Sequence, residues 1–593
     1  MAFFREENLR FWIPAVLLAG FGIYSSQMMI RAHVDPKVAA KDYNLTYSIS
    51  ASRGSVYSML PDAAPYAKSV PYWEYRMDPQ AIEEAAAVIK KGKQVRSEAE
   101  ILRTIADVLP GIDYRKVVSM YMNRANRYQF LALSPDRHIH EVLSDRKQVA
   151  GVAIRDRQVR QYLHGRSLCH VIGAINAEQT GVGGIEQRFE KDLSGTPGVV
   201  HGYKDARGRE IYNKRTISVE PISGNDIYLT IEPNIQNETE KALKDGLEEF
   251  GAGSGWAIVM DARSGAIRAM ASLPDFDPLL YRKASDSAKL NRAIAFTYEP
   301  GSVMKVITAA AAIDSAPNKY NAGTVFKTAR NEPNYYQLPG DGTHVWEPTM
   351  TLKEAIVHSS NIVIGKLAYD LGPNLLYDYF RRFGFGERTG IELPGEEVGI
   401  VRNPRRHAWD LKTRSRAGIG QGVAVTALQL ISAYQAIANN GVRVKPYIVE
   451  KMVDGFGNEI YHHQREILGV PITPKTARTL RDMMLPVASK AGTARRAAMS
   501  GYSIAGKTGT AQKVIGRSYA PGLYRATFCG MLPASDPELV ILVTLDFDQR
   551  TLYHQGGNSA APIFRRIAEY AVRYLEIDPD RPDEIFDTND PEI

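Results

Sequence analysis

The apolar positions of this chain fall into four patterns. Residues 11–30, FWIPAVLLAGFGIYSSQMMI, run uncharged for about the 20 positions that a helix needs to cross a hydrocarbon layer. Strand-length apolar runs occur at 226–231, in the pair within GWAIVMDARSGAIRAMAS (255–272) and in RATFCGMLPA and ELVILVTLDFD (525–548). The second group predicts a hairpin turning at Arg263-Ser264-Gly265, and the third a pair joined by Ser535-Asp536-Pro537. Helical spacing appears after Asp78-Pro79, after Pro233, and over 558–576, where Ile563, Phe564, Ile567, Ala571 and Leu575 share a face and Pro562 suits a first turn. The fourth pattern, EPGSVMKVITAAAAID (299–314), is apolar on every helical face after its Glu-Pro-Gly breaker.

Strands at both ends of a helix-rich middle predict one α+β domain over 223–577, its sheet drawn from both ends of that stretch. Short strand-like pieces and one clear helix over 31–222 predict a scaffold or pedestal, with no charged cluster that reads as a site. Residues 578–593, dense in Asp, Glu and Pro, read as a disordered acidic tail. No A-x-A-like cleavage site follows the apolar run at 11–30, so an uncleaved single span is expected, with 1–10 as a short tail and the rest of the chain on one side. Phe11, Trp12 and Tyr24 suit the interfaces. Basic residues flank the run on both sides (Arg5 and Arg10; Arg31, Lys37 and Lys41), so charge alone does not orient it.

Composition changes this picture little. At 593 residues the chain is too long for one domain, and 44% hydrophobic with 23% charged residues is ordinary for a folded protein. A net charge of +7, not gathered into Lys/Arg runs, gives no sign of nucleic-acid binding and suits an anionic surface such as a membrane or cell wall. The two cysteines, Cys169 and Cys529, sit in no CxxC or Cys/His cluster, so neither a zinc site nor a disulfide framework is indicated.

Lys305 is the only charge in the core-like run 301–313, and it stands one helical turn after Ser302. Ser302 falls at a helix N-terminus, where free backbone N–H groups favour developing negative charge. A lysine among apolar groups has its pKa pushed down, because desolvation disfavours the charged form. It then serves as a base for a serine nucleophile. Ser-x-x-Lys alone carries little, since Ser144–Lys147 repeats it in a polar turn, and Ser223-Gly224-Asn225 likewise repeats a Ser-x-Asn triplet. The ordered set is specific: Ser302-x-x-Lys305, then Ser359-Ser360-Asn361 opening a second apolar helix, then Lys507-Thr508-Gly509-Thr510 in a strand where glycine allows close backbone approach.

With these three motifs the chain resembles the penicillin-binding proteins, in particular the membrane-anchored class B transpeptidases, along nearly its whole length. RQYLHGRSLCHVIGAIN (160–176), TGVGGIEQRFEKDLSGTPG (180–198) and GIGQGVAVTALQLISAYQAIANNG (418–441) resemble further family segments; Leu163 stands where relatives usually carry proline. The resemblance implies a transmembrane anchor, an elongated pedestal or dimerisation-like domain, and a transpeptidase domain whose antiparallel sheet is flanked by helices beside an all-helical subdomain. It implies a cell-membrane protein with its catalytic domain outside the cytoplasm and 1–10 inside.

It further implies that Ser302 attacks the D-Ala–D-Ala bond of a peptidoglycan stem peptide, releases D-Ala, and passes the acyl group to a neighbouring amine. Lys305 is then the base, Ser359 relays the proton, Asn361 holds Lys305 and the substrate amide, and Lys507 sets the local potential. Ser360, Thr508, Gly509 and Thr510 line the substrate, and the N–H groups of Ser302 and Thr510 hold the oxyanion. β-Lactams acylate Ser302. No metal or organic cofactor is implied. EPGSVMK with SSN and GKTGTAQK resembles the division-specific type, so the implied partners are a membrane-embedded glycan polymerase and other division proteins.

Other readings remain open at this stage. A D,D-carboxypeptidase or β-lactamase shares the trio but uses water as acceptor. A β-lactam sensor needs several membrane spans, and one is visible. A non-catalytic division scaffold needs no buried lysine. His344 and Trp346 in a Gly/Pro-rich loop read as surface or packing residues; His554 lies in a Gly-rich loop expected to border the cleft; alanines 309–312 read as core.

Overall fold

The computed structural model describes residues 18–29, 44–60, 63–88, 96–126, 128–145, 149–203, 216–328, 348–516 and 518–584. Two compact units divide it: residues up to Ala51 with Thr196–Ile222, and Ser52–Gly195 with Ser223 onward. The expected break after 222 coincides with one edge of these units, but residues 52–195 fall with the residues that follow it.

The first unit holds an antiparallel sheet in the order Asn44–Ile49, Gly198–Tyr203, Thr216–Val219. It also contains a helix over 18–29 whose apolar side chains are largely exposed, Leu18 and Phe21 among them. Among the described residues no helix is long and apolar enough to cross a membrane, and much of the candidate span 11–30 lies outside them.

In the second unit, one sheet joins early and late segments. Strand Asp226–Leu229, expected to open the catalytic domain, runs parallel to Val56–Ser58 and antiparallel to Val449–Val453. The strand Ala67–Met77 pairs with Gln129–Ser134 and along its full length with Val152–Tyr162. The helix after Asp78 forms as Pro79–Val88. It belongs to a separate small core around Tyr75, Ile82, Ile101, Ile105 and Val117.

Leu163 amide donates to Tyr66 O at 3.2 Å, a bond that proline in its place could not make. The region also carries a buried ion-pair cluster that the sequence did not single out. Glu186 receives Arg53 Nε at 2.6 Å on one oxygen and Arg160 Nε at 2.7 Å on the other, and all three side chains are buried.

The second sheet is five-stranded and wholly antiparallel; the antiparallel pairing is what the family resemblance implies. Helix α1 (Pro233–Phe250) precedes β1 (Ser254–Asp261) and β2 (Ile267–Leu273), the expected hairpin. The helical middle contributes α2 (Lys305–Ser315), α3 (Asn361–Arg382), α4 (Leu411–Gly418), α5 (Ala427–Ala438) and α6 (Pro474–Met484). Then come β3 (Ala505–Ile515), β4 (Ser518–Leu532), β5 (Leu539–Asp546) and α7 (Ala560–Tyr574). The strand order is β2-β1-β5-β4-β3, so the first and last strands of the region meet at β1–β5.

Alternation along β4 decides what each face packs against. Phe528 points to α7, meeting Phe564 edge-on at 4.8 Å between centroids. A Cβ on Gly506 or Gly530 would strike these rings, which is why glycine stands at both. Thr527 and Cys529 face the other side, where Thr527 Oγ1 lies 3.0 Å from Thr544 Oγ1 beside Tyr298, and α5 packs. Both cysteines are free and buried, and burial pushes the Cys169 thiol up to about 12 and Cys529 well above its usual value.

In the helical part α2, α3 and α4 cross closely. A Cβ on Gly418 would come within 2.3 Å of Ala368 Cβ, and Thr308 Oγ1 donates to Gly418 O at 2.8 Å. Alanines 309–312 are fully buried there, as core.

The acidic tail expected from 578 needs correction, because the chain remains packed through Glu584. Asp580 accepts from Ser503 N at 2.7 Å and from Ser535 Oγ at 2.8 Å, and Arg581 N donates to Gly501 O at 3.0 Å. Residues 585–593 lie outside the described residues.

Candidate active site

Ser302 sits in a single 3₁₀ turn, Gly301–Met304, that leads directly into α2. Gly301 adopts φ +58°, a left-handed conformation that glycine accepts freely, and its N–H donates to Gly420 O at 3.1 Å. This turn rests against β3. A Cβ on Gly509 would lie 3.1 Å from Pro300 O and 3.2 Å from Val303 Cγ1. Glycine is thus needed there for the approach of the serine's own turn.

One helical turn on, Lys305 is fully buried. Its ammonium donates to Ser359 Oγ at 3.2 Å and to Ser359 O. Ser359 holds φ +60°, uncommon for a residue with a side chain, in the turn between Leu352–Val357 and α3. Ser360, expected to line the substrate, is buried, and its hydroxyl accepts from Val363 N at 3.2 Å as the N-cap of α3. Asn361 stands half-buried at the first residue of α3.

The third motif lies on β3 as expected. Lys507 is fully buried and donates to Thr508 O and Thr508 Oγ1, both at 3.3 Å. Burial, reinforced by the charge of Lys305, pulls its pKa well below that of an ordinary lysine. The two lysines are therefore close enough for their charges to repel, which adds to the lowering at Lys507. Thr510 Oγ1 receives Gly556 N at 3.4 Å, so the Gly-rich loop of His554 borders this strand. His554 itself stacks on Tyr524, and its Nδ1 lies 2.9 Å from Thr551 O. His344 and Trp346 lie outside the described residues, as does Lys147 of the polar Ser-x-x-Lys repeat.

Two residues at the site had no signal that sequence reasoning used. Thr493 places its hydroxyl 2.9 Å from that of Thr508. Glu299, read only as part of a helix breaker, accepts from Gly422 N at 2.8 Å and from Tyr519 OH at 3.1 Å. Its position three residues before Ser302 was the available hint.

The assembled geometry is a serine at a helix start, a buried lysine bonded to a second serine, and a second buried lysine on an adjoining strand. It suits acyl transfer through a serine ester. Residues 255–569 match the family model of the penicillin binding protein transpeptidase domain, and 48–229 that of the penicillin-binding protein dimerisation domain. Penicillin-binding protein PbpB of Mycolicibacterium smegmatis is 32% identical over 493 residues, covering 80% of this chain and 74% of that protein. Peptidoglycan D,D-transpeptidase FtsI of Escherichia coli is 28% identical over 533 residues, 90% of this chain and 85% of that protein. Among solved structures, penicillin binding protein 3 of Mycobacterium tuberculosis complexed with aztreonam superposes with a TM-score of 0.65 at 26% identity, covering 91% of this chain and 100% of that one. With motifs, fold and full-length similarity in agreement, the chain belongs to the class B penicillin-binding proteins.

Proposed function

We propose that this protein is a peptidoglycan D,D-transpeptidase that works through an acyl-enzyme on Ser302 in septal cell-wall synthesis. The observation that carries the reading is the bond from the buried Lys305 to Ser359, one helical turn from Ser302. Lys305, neutral when its proton is shed, takes the proton of Ser302 as the hydroxyl attacks the carbonyl between the terminal D-alanines. The N–H groups of Ser302 and Thr510 hold the resulting oxyanion. Ser359 passes the proton to the departing D-Ala amine, and Lys507 lowers the cost of that transfer by repelling a proton on Lys305. The amine of a neighbouring stem peptide then attacks the ester, forms the cross-link and returns Ser302 to its hydroxyl form. Asn361 orients the substrate amide, and Thr508 and Thr510 hold its terminal carboxylate, with Gly509 keeping the strand close to the nucleophile. A β-lactam follows the first half of this path and remains on Ser302.

In this reading 11–30 is a single-pass anchor in the cell membrane, with 1–10 inside and the catalytic domain outside the cytoplasm. The exposed apolar helix over 18–29 supports it. Residues 31–222 form the pedestal and 223–577 the transpeptidase domain, and the partners are a membrane-embedded glycan polymerase and other division proteins. The test is covalent labelling of the purified chain and of Ser302→Ala by a fluorescent penicillin, with the adduct mapped by mass spectrometry. A stable adduct on Ser302, absent from the variant, is expected; folded protein that takes no label sinks the enzyme reading.

A further inference from the structure

Three segments wall the nucleophile: its own turn, the loop 419–425 after α4, and the β3–β4 hairpin. A single carboxylate reaches all three. Glu299 belongs to the nucleophile's segment. One of its oxygens accepts from Gly422 N at 2.8 Å and the other from Tyr519 OH at 3.1 Å. Tyr519 lies on β4 near the tip of the hairpin, opposite Val514 in the register, and Val514 continues the strand that carries Lys507–Thr510. The loop is tied back in turn, since Gly420 O receives Gly301 N next to Ser302.

We propose that Glu299 is a positioning residue: it latches the β3–β4 hairpin and the 419–425 loop to the nucleophile's turn, fixing the spacing between Ser302 and the Lys507–Thr510 strand.

This inference rests on the reading of Ser302 as the acylated serine. Acyl transfer needs the hydroxyl and the oxyanion donors in register to within a fraction of an ångström, and the Thr510 donor sits on β3, the strand paired with the β4 segment that carries Tyr519. Below the tip the hairpin is anchored by Lys513, whose ammonium meets Asp546 at 2.6 Å and Asp548 at 2.7 Å, and the latch acts beyond that point. Val514 and Ile515 are exposed, so their packing cannot hold the tip in place. The carboxylate faces Tyr519 and Arg525 from β4 and Arg416 from α4. Burial, together with the neighbouring Glu299, pushes the Tyr519 phenol up to about 12, so it remains a hydrogen-bond donor at neutral pH.

The test is the acylation time course with a fluorescent penicillin, resolved into the pre-covalent binding constant and the acylation rate constant, for the unsubstituted chain, E299A, E299D, E299Q and Y519F. Y519F removes one oxygen at a hairpin tip and leaves the core untouched, so it remains informative if E299A folds poorly. E299A and Y519F are expected to lower the acylation rate constant by about tenfold or more, with binding changed far less. E299Q keeps an acceptor for Gly422 N and offers an amide donor to the Tyr519 oxygen, so it recovers most of the loss. E299D keeps the charge but falls a methylene short and does not recover it. Wild-type rates in both E299A and Y519F overturn the latch, and so does a series in which E299D is restored and E299Q is not. A chain that takes no label even unsubstituted overturns the acyl-enzyme reading and the latch with it; a chain that labels but ignores these substitutions overturns the latch alone.

Discussion

Lys305 Nζ donates to Ser359 Oγ at 3.2 Å, and Ser359 is presented to it by a left-handed backbone at φ +60°. The contact joins the first residue of one helix to the turn before another, so neither side chain is placed by local sequence alone. It also separates two contributions, the hydroxyl and the strained backbone, that substitutions can address one at a time.

Ser359→Ala and Ser359→Gly both remove the hydroxyl, and acylation by a fluorescent penicillin should fall steeply in both. Their stabilities should part. Alanine keeps the Cβ penalty of the left-handed conformation and glycine does not, so the glycine variant is expected to be more stable than the alanine variant by about 1 kcal/mol. Thermal melts of the two variants check the difference; equal melting would mean that the turn relaxes once the hydroxyl is lost.

Lys305→Met keeps the buried stem and removes the amine. General-base assistance is worth roughly 10²–10⁴ in rate, and acylation should drop by that order. Its melting temperature should hold or rise, because a buried ammonium is costly to keep. A methionine variant that acylates at the normal rate would place the base elsewhere.

The pH dependence follows from Lys507. Burial and Lys305 lower its folded pKa, whereas the unfolded chain has the ordinary value near ~10.4. Between those two values the unfolded state binds more protons, so stability rises with pH. The penalty is full below the lowered folded value and vanishes as pH approaches the unfolded one. Melting temperature should therefore climb through that window more steeply in the unsubstituted chain than in Lys507→Met. Parallel profiles would show that Lys507 keeps an ordinary pKa.

Gly509→Ala tests the contact between strand and nucleophile. The new Cβ meets Pro300 O at 3.1 Å and Val303 Cγ1 at 3.2 Å, so the Ser302 turn or β3 must give way by a few tenths of an ångström. The sheet should stay folded while acylation slows by about tenfold or more. An unchanged rate would mean that the turn yields without moving Ser302.

Much of this was readable in the chain because the signals are periodic. The hairpin at 255–272, the pair at 525–548 and the helix carrying Ile563, Phe564 and Ile567 are short-range patterns, and the structure has them at β1–β2, β4–β5 and α7. The three motifs were legible as residue types, and the fold brings Lys305 to Ser359 and into the field of Lys507. The capping role of Ser360 was not legible, because a capping serine and a substrate-facing serine look alike in sequence. The strand expected from Asp226 forms, but its partners Val56–Ser58 and Val449–Val453 were not legible, because nothing local tells a strand which of two sheets it will join. The C-terminal segment looked like a disordered tail by composition, yet Asp580 finds Ser503 and Ser535 from across the fold.

The buried cluster of Arg53, Arg160 and Glu186 was the least legible feature, since its members lie more than a hundred positions apart at the extremes and each reads singly as a surface charge. Its energetics set it apart from surface pairs. Glu186 is fully buried and pairs with two guanidiniums that are themselves buried, so Glu186→Ala strands uncompensated charge and should cost about 3–5 kcal/mol. Glu190, which also reaches Arg53 at 2.8 Å but is partly exposed, offsets only a part. Removing an exposed pair such as Arg124–Glu83, 2.7 Å apart, should cost far less, because water screens both charges. Native-state hydrogen exchange along Val152–Tyr162, the strand that carries Arg160, reports the opening free energy of this region without requiring the whole chain to unfold in one step. Faster exchange there in Glu186→Ala and little change in Glu83→Ala is the expected result. Similar small effects in both would mean that water enters the cluster and screens it, and that this region is held by its apolar contacts alone.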